Sequence, residues 1–237
     1  MSQGQDDIQQ EIEQRGREAE ERREFELRHR GDENDPLEYV ASYDDLIRAV
    51  GTDTHRALEH EVRFGAAEGR HASFDGLEYV ASYGDLIAAY GANDHAGAAH
   101  YIEHGHAEGR TATFDGLAYL AGYDDLSAAL PHTHDAGSSH FIRFGHAEAR
   151  HQNFDGLQYV ASYGDLIGAL GTNPDAAAIH WMEHGRFEGR VRDAFDADRY
   201  LANYADLRAA FGTDTHAATL HYIEHGHAEG RTDHPFG

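Results

Sequence analysis

The chain contains no cysteine and no lysine, and proline (4), methionine (2) and tryptophan (1) are scarce among its 237 residues. Without cysteine there is no disulfide framework, no thiolate zinc site and no cysteine nucleophile. No apolar run approaches the roughly 20 residues of a membrane span, so no membrane insertion is expected. The first thirty residues are strongly charged and do not read as a secretory signal peptide. With lysine missing, all 19 cations are arginine, and 43 acidic residues set against them leave a net charge of −24. A surface this acidic repels phosphate backbones and anionic lipid, so no nucleic acid partner is expected. What is abundant is histidine, at 20 residues, beside a hydrophobic fraction of 40% that can still bury a core. The expectation is a soluble folded protein, cytoplasmic by default, with signal-less secretion to the cell surface as the alternative.

Internal repetition decides the architecture. Phe74-Asp75-Gly76-Leu77 recurs 40 residues on as Phe114-Asp115-Gly116-Leu117 and again as Phe154-Asp155-Gly156-Leu157, and after 41 more residues Phe195-Asp196 opens the last copy. A divergent first copy starts at Asn34-Asp35-Pro36-Leu37. Arg70, Arg110, Arg150, Arg190 and Arg231 close the copies, all but Arg150 as Glu-Gly-Arg. The five repeats occupy 34–70, 74–110, 114–150, 154–190 and 195–231, between a charged segment 1–33 and a tail 232–237.

A period near 40 fits helical solenoids or four-stranded propeller blades. Richness in alanine, leucine and glutamate without period-2 alternation favours helices. In the second copy Asp75 is placed to N-cap a helix through Tyr79 and Val80. Leu77, Val80, Leu86, Ile87 and Tyr90 fall at helical spacings on one face. Gly91 sits where a C′ glycine ends a helix, and Ser82-Tyr83-Gly84-Asp85 is a possible break. A further helix starts near Asn93-Asp94, matched by Asn173-Pro174-Asp175 with proline at N1, and is expected to stop at Gly105. The fold is therefore expected to be all-α, a solenoid-like array with two or three short helices per copy.

Five copies act as an alignment within one chain. Common to all are a tyrosine (Tyr43, Tyr83, Tyr123, Tyr163, Tyr204), an Asp-Leu pair (Asp45 through Asp206), a histidine (His60, His100, His140, His180, His221), a glycine (Gly65, Gly105, Gly145, Gly185, Gly226) and a Glu/Arg pair (Glu68/Arg70, Glu108/Arg110, through Glu229/Arg231). Residues needed equally everywhere serve the fold before any one active site: the tyrosine for packing between helices, Asp85 and its equivalents for N-capping or pairing with the arginine, the glycine for a turn. Outer copies carry polar residues at apolar positions (Asn34, Arg48, Glu61, Asp198, Arg208), the pattern of capping repeats. That pattern predicts an array complete with these five copies, a rod or shallow arc of about 50 Å or more at roughly 10 Å per helix layer.

Tyr79-Val80-Ala81-Ser82-Tyr83-Gly84-Asp85-Leu86, His100-Tyr101 and Gly105-His106-Ala107-Glu108-Gly109-Arg110 resemble a helical repeat of about forty residues known from bacterial and giant-virus proteins. In that family it occurs in large secreted proteins, sometimes beside calcium-binding nonapeptide repeats, and in chains attached to glycosyltransferases. The resemblance spans about five-sixths of the chain. It implies an accessory or interaction module and no catalytic residue. The family usually has proline at the position of Gly84, and no Gly-Gly-x-Gly-x-Asp calcium repeat is present here.

Chemistry is concentrated in His100-Tyr-Ile-Glu-His104-Gly-His106, repeated as His221, His225 and His227. Histidines at i and i+4 share a helix face, and a helix ending at the glycine could fold the third back toward them, a set suited to Zn, Ni or Cu. Against this, Phe64 and Phe144 take the His104 position in other copies, which points to a ring packed on the neighbouring copy. His95, His132, His134 and His216, near helix starts, are expected in solvent. Asp44-Asp45 and Asp124-Asp125 raise Ca as a second ion, but no twelve-residue calcium loop is present. Many carboxylates with no lysine also resemble adaptation to high salt. No nucleophile elbow, phosphate loop or dinucleotide fingerprint is found, so no enzyme activity and no cofactor are expected. Residues 1–33 read as a charged helix from about Asp6 to Arg28, or as a solvated tail. The functional expectation is a scaffold presenting an acidic surface to a protein or glycan partner. Alternatives are metal buffering and a calcium-dependent surface protein; oligomeric state is not encoded in any motif.

Overall fold

A computed structural model of the chain describes residues 35–235. The N-terminal charged helix read from the sequence, and Asn34, lie outside the described residues. Among the described residues every regular element is helical.

Each copy contains three short helices. In the second they are Gly76–Ala81, Gly84–Tyr90 and Asp94–His100, and the third continues through a π-helical turn, Tyr101–Gly105, into a last turn, His106–Glu108. Helices of six or seven residues are far below the roughly 12–15 at which an isolated helix is even marginal. They persist because their ends are capped and one face of each is buried. Asp75 accepts from Glu78 N–H at 2.7 Å, Asn93 accepts from Ala96 N–H at 3.0 Å, and Asn173 caps a helix with Pro174 in its first turn. Gly91, at φ +57, ends the second helix as expected. In the third copy Pro131 takes that position, and the helix ends earlier, with Leu130 extended, the conformation favoured before a proline.

Two sequence expectations change here. The stripe Leu77 to Tyr90 is not one helix face, because the chain breaks at Ser82-Tyr83; Leu77, Val80 and Leu86 are buried, whereas Tyr90 stays exposed. The third helix does not stop at Gly105. That glycine is right-handed (φ −58) and the chain coils on to Gly109, whose φ of +69 makes the true end. Glycine read as a terminator is here a place of close approach.

The chain divides into two compact blocks, up to Ala112 and from Thr113 onward. In the first, helix Pro36–Ala41 packs on Asp94–His100 of the next copy. In the second, Gly116–Ala121 packs on Pro174–His180, and Gly156–Ala161 on Thr215–His221. Within each block the first helix of a copy therefore covers the third helix of its successor. The largest fully buried side chains are the tyrosines of those first helices, Tyr39, Tyr79, Tyr119, Tyr159 and Tyr200, each 0% exposed. Residues 232–235 join the fifth copy: Asn203 donates to the Thr232 and His234 carbonyls at 2.8 Å, and Asp233 accepts from Asp196 N–H at 2.9 Å.

Candidate functional site

Two clasps recur in every copy and absorb nearly all its repeated polar residues. In the first, a buried first-helix tyrosine reaches the third helix. The Tyr79 hydroxyl and His100 Nδ1 share a hydrogen bond of 3.1 Å; the other four copies repeat it at 3.0 or 3.1 Å through His60, His140, His180 and His221. Burial pushes Tyr79 up to about 12, so the phenol keeps its proton. Burial, then the nearby Arg110, lowers His100, so the imidazole is held neutral. The same hydroxyl lies against Gly105, where a Cβ would overlap it. The glycine is thus required by the tyrosine, and the turn expected of it is made four residues later.

The second clasp closes each copy. The Arg110 guanidinium lies 4.9 Å over the Tyr83 ring, donates to Asp85 Oδ2 at 2.9 Å and pairs with Glu108 at 2.7 Å. Of the two roles open to Asp85, the arginine takes it, and the hydrogen bond from Arg110 holds its carboxyl below the usual carboxylate range. The Tyr83 hydroxyl donates to the Thr111 carbonyl and accepts from Thr111 N–H, both at 2.9 Å. It fastens the linker between copies, beyond the inter-helix packing expected of it.

The histidine trio is not gathered by this geometry. His100 and His104 rings meet edge-on at 5.4 Å, but His100 Nδ1 is engaged by Tyr79. His106 turns away, packing on Tyr101 at 5.9 Å and reaching Asp44 Oδ1 of the preceding copy at 3.0 Å. Among the described residues the ligand atoms of His100, His104 and His106 do not all lie within 4.8 Å of one another, nor do those of His221, His225 and His227. His227 lies against Gly164 of the preceding copy, the equivalent of Asp44. The ring four residues after the conserved histidine does not pack on the neighbouring copy as expected. Phe64 and Phe144 lie on His60 and His140 of their own copies, at 5.3 and 5.5 Å, and remain exposed.

Of the histidines expected in solvent, His216 is exposed, whereas His132 is half-buried with Nε2 on the Ser127 carbonyl at 2.9 Å. His95 is bonded to Asp35 at 2.6 Å. Sequence reasoning missed the first-helix tyrosine, although Leu-x-Tyr or Asp-x-Tyr recurs in all five copies and gave the signal. It also missed Ser42, whose hydroxyl accepts from Ser73 and Phe74 N–H at 2.9 and 3.0 Å.

Comparison with protein-family models, with curated proteins and with solved structures finds no match.

Proposed function

We propose that the chain is a non-enzymatic repeat scaffold that presents an acidic surface to a protein or glycan partner. The observation that carries this reading is the ring four residues after each conserved histidine. Phe64 and Phe144 are 50% and 54% exposed, and the His104, His184 and His225 side chains about 60%. Burying such a side chain is worth roughly 1.5–3 kcal/mol, so a half-wet phenylalanine forgoes part of that and its retention needs another cause. A docking strip within each block, rings with glutamates beside them (Glu103 in the first, Glu183 and Glu224 in the second), supplies one. The clasps support the non-enzymatic reading as well, since they engage the tyrosine, histidine, aspartate and arginine that recur in all five copies. The resemblance to an accessory repeat family points the same way.

The test is a five-site variant with serine at Phe64, His104, Phe144, His184 and His225, compared with the unmodified chain on glycan arrays and peptide-display libraries. A ligand held by the parent and lost in the variant, at unchanged helical circular dichroism, supports the strip; a ligand held equally by both removes it. The scaffold reading also expects the same melting temperature in EDTA as in zinc or nickel. A rise of several degrees with either metal, lost on His104→Phe with His225→Phe, would replace it by the metal-binding reading.

A further inference from the structure

The block from Thr113 onward departs from the repeat at four places that meet around one groove. Trp181, the only tryptophan, stands where other copies have Tyr101, Phe141 or Tyr222. Arg186 stands in place of His106, His146 and His227. The linker after the fourth copy is one residue longer than the others, and the extra length carries Arg192. Gly122 replaces the serine of Ser42 and Ser162, and a Cβ there would overlap the Asn153 side chain. Trp181, Arg186, Arg192, Asn153 and Gln152 line a groove of about 960 Å³. Arg192 crosses it, donating from Nη1 to the Ala121 and Gly122 carbonyls at 3.3 and 3.0 Å, with its guanidinium 5.1 Å from the Trp181 ring.

The charges there are held unlike those of the clasps, and in the manner of Arg208, which donates to the Leu201 and Ala202 carbonyls. The five clasp arginines each face carboxylates. Arg186 and Arg192 are fixed instead by neutral partners: Arg186 Nη1 donates to the Asp124 carbonyl at 3.3 Å, and neither makes an ion pair with a carboxylate among the described residues. Arg186 Nε is buried without a hydrogen-bond partner, as is Nε1 of Trp181, whose side chain is 6% exposed. A buried donor left unmade costs about 1–3 kcal/mol. In a chain with more than twice as many acids as arginines, two oriented guanidiniums held by backbone carbonyls, beside two unpartnered donors, suit a ligand that brings a charged acceptor. Among apolar lining residues such as Phe154, Leu157, Pro174 and Val191, the groove also offers hydroxyl-binding groups: Gln152, Asn153 and the aspartates Asp115, Asp124, Asp155 and Asp193. Those aspartates repel a bare multivalent anion and accept from sugar hydroxyls.

We propose that this groove binds an acidic saccharide, its carboxylate on Arg186 and Arg192 and its hydroxyls on the amide and aspartate side chains. The site does not depend on the exposed ring strip. Charge-assisted, two-point guanidinium recognition explains why arginine is placed there. The single tryptophan makes the test direct, because intrinsic fluorescence reports on the groove. The unmodified chain is titrated with trigalacturonic acid, with its methyl ester and with inorganic phosphate, and each titration is repeated by calorimetry. Expected is saturable binding of the acid, about tenfold or more weaker for the ester, with phosphate failing to compete at equal concentration. Arg186→His, which restores the residue of the second, third and fifth copies, and Arg192→Gln should each weaken the acid by about tenfold at unchanged circular dichroism. Equal affinity for acid and ester, phosphate binding as tight as the acid, insensitivity to both substitutions, or no saturable signal by either method would each overturn the proposal.

Discussion

A tyrosine hydroxyl pressed against a glycine sets the tightest constraint on a single residue. A Cβ at Gly105, Gly145, Gly185 or Gly226 would overlap the phenol oxygen of the same copy, whereas at Gly65 it would meet Tyr39 at 3.2 Å. Gly105→Ala must therefore displace Tyr79 and its bond to His100, and is expected to destabilise by about 1–3 kcal/mol, the usual cost of overpacking. Gly65→Ala should be nearly neutral, because the helical preference of alanine, worth up to about 1 kcal/mol over glycine, offsets a contact that a few tenths of an ångström relieve. Thermal melts of the two variants side by side decide the matter; equal losses would show that backbone conformation, not the phenol, requires the glycine. This constraint was half legible in the sequence. The glycine recurs visibly in five copies, but its partner is a tyrosine 26 residues earlier, and an aromatic residue at an apolar helix position reads simply as core.

At the scale of elements, what could be read locally was read correctly and what depends on distant partners was not. Asp75, Asn93 and Asn173-Pro174 announce helix starts because the cap hydrogen bonds lie within three residues. The break at Tyr83 was ambiguous because Gly84 stands where a proline would have forced it. The run through Gly105 was hidden, since nothing local distinguishes a glycine that ends a helix from one that admits a neighbour. The groove around Trp181 was least visible, because Arg192 and the Gly122 carbonyl it grips are 70 residues apart. One helix end departs from its siblings in a testable way. Gly69, Gly109, Gly189 and Gly230 close the last turn at positive φ, and in the third copy Ala149 does so at φ +54. An alanine pays a steric cost there that glycine escapes. Ala149→Gly should raise stability by about 1 kcal/mol, read as a higher melting temperature; a lower one would show that the more flexible unfolded chain outweighs the relief.

The molecule as a whole is governed by acid. Adding 20 protons on histidine to a charge of −24 would leave −4, so repulsion between copies of the chain should fade in mild acid and self-association should appear as turbidity. Burial sets four of those histidines apart. His100, His140, His180 and His221 are held below the ordinary histidine range by burial. Their contribution to stability is complete above that range and is lost as pH falls through their lowered folded values. The clasp aspartates, Asp85, Asp125, Asp165 and Asp206 among them, are lowered by their arginines and act with the same sign further into acid. Glu38 opposes them. It accepts from Gly76 N–H at 2.7 Å between the first two copies, and burial raises it from 4.5 to about 7. Its contribution is complete below 4.5 and lost as pH rises through about 7. The melting temperature should therefore decline from pH 7 toward pH 5, four histidines outweighing one glutamate. Glu38→Gln should raise it at pH 8 while leaving pH 5 almost unchanged, by an amount on the order of 1 kcal/mol once partial solvent exposure is discounted. The fourth copy already carries the neutral side chain: Gln158 donates to the Phe195 carbonyl at 3.1 Å. A Glu38→Gln variant no more stable than its parent at pH 8 would mean that the junction carries a charged carboxylate at no cost, and the alkaline arm of the curve would need another origin.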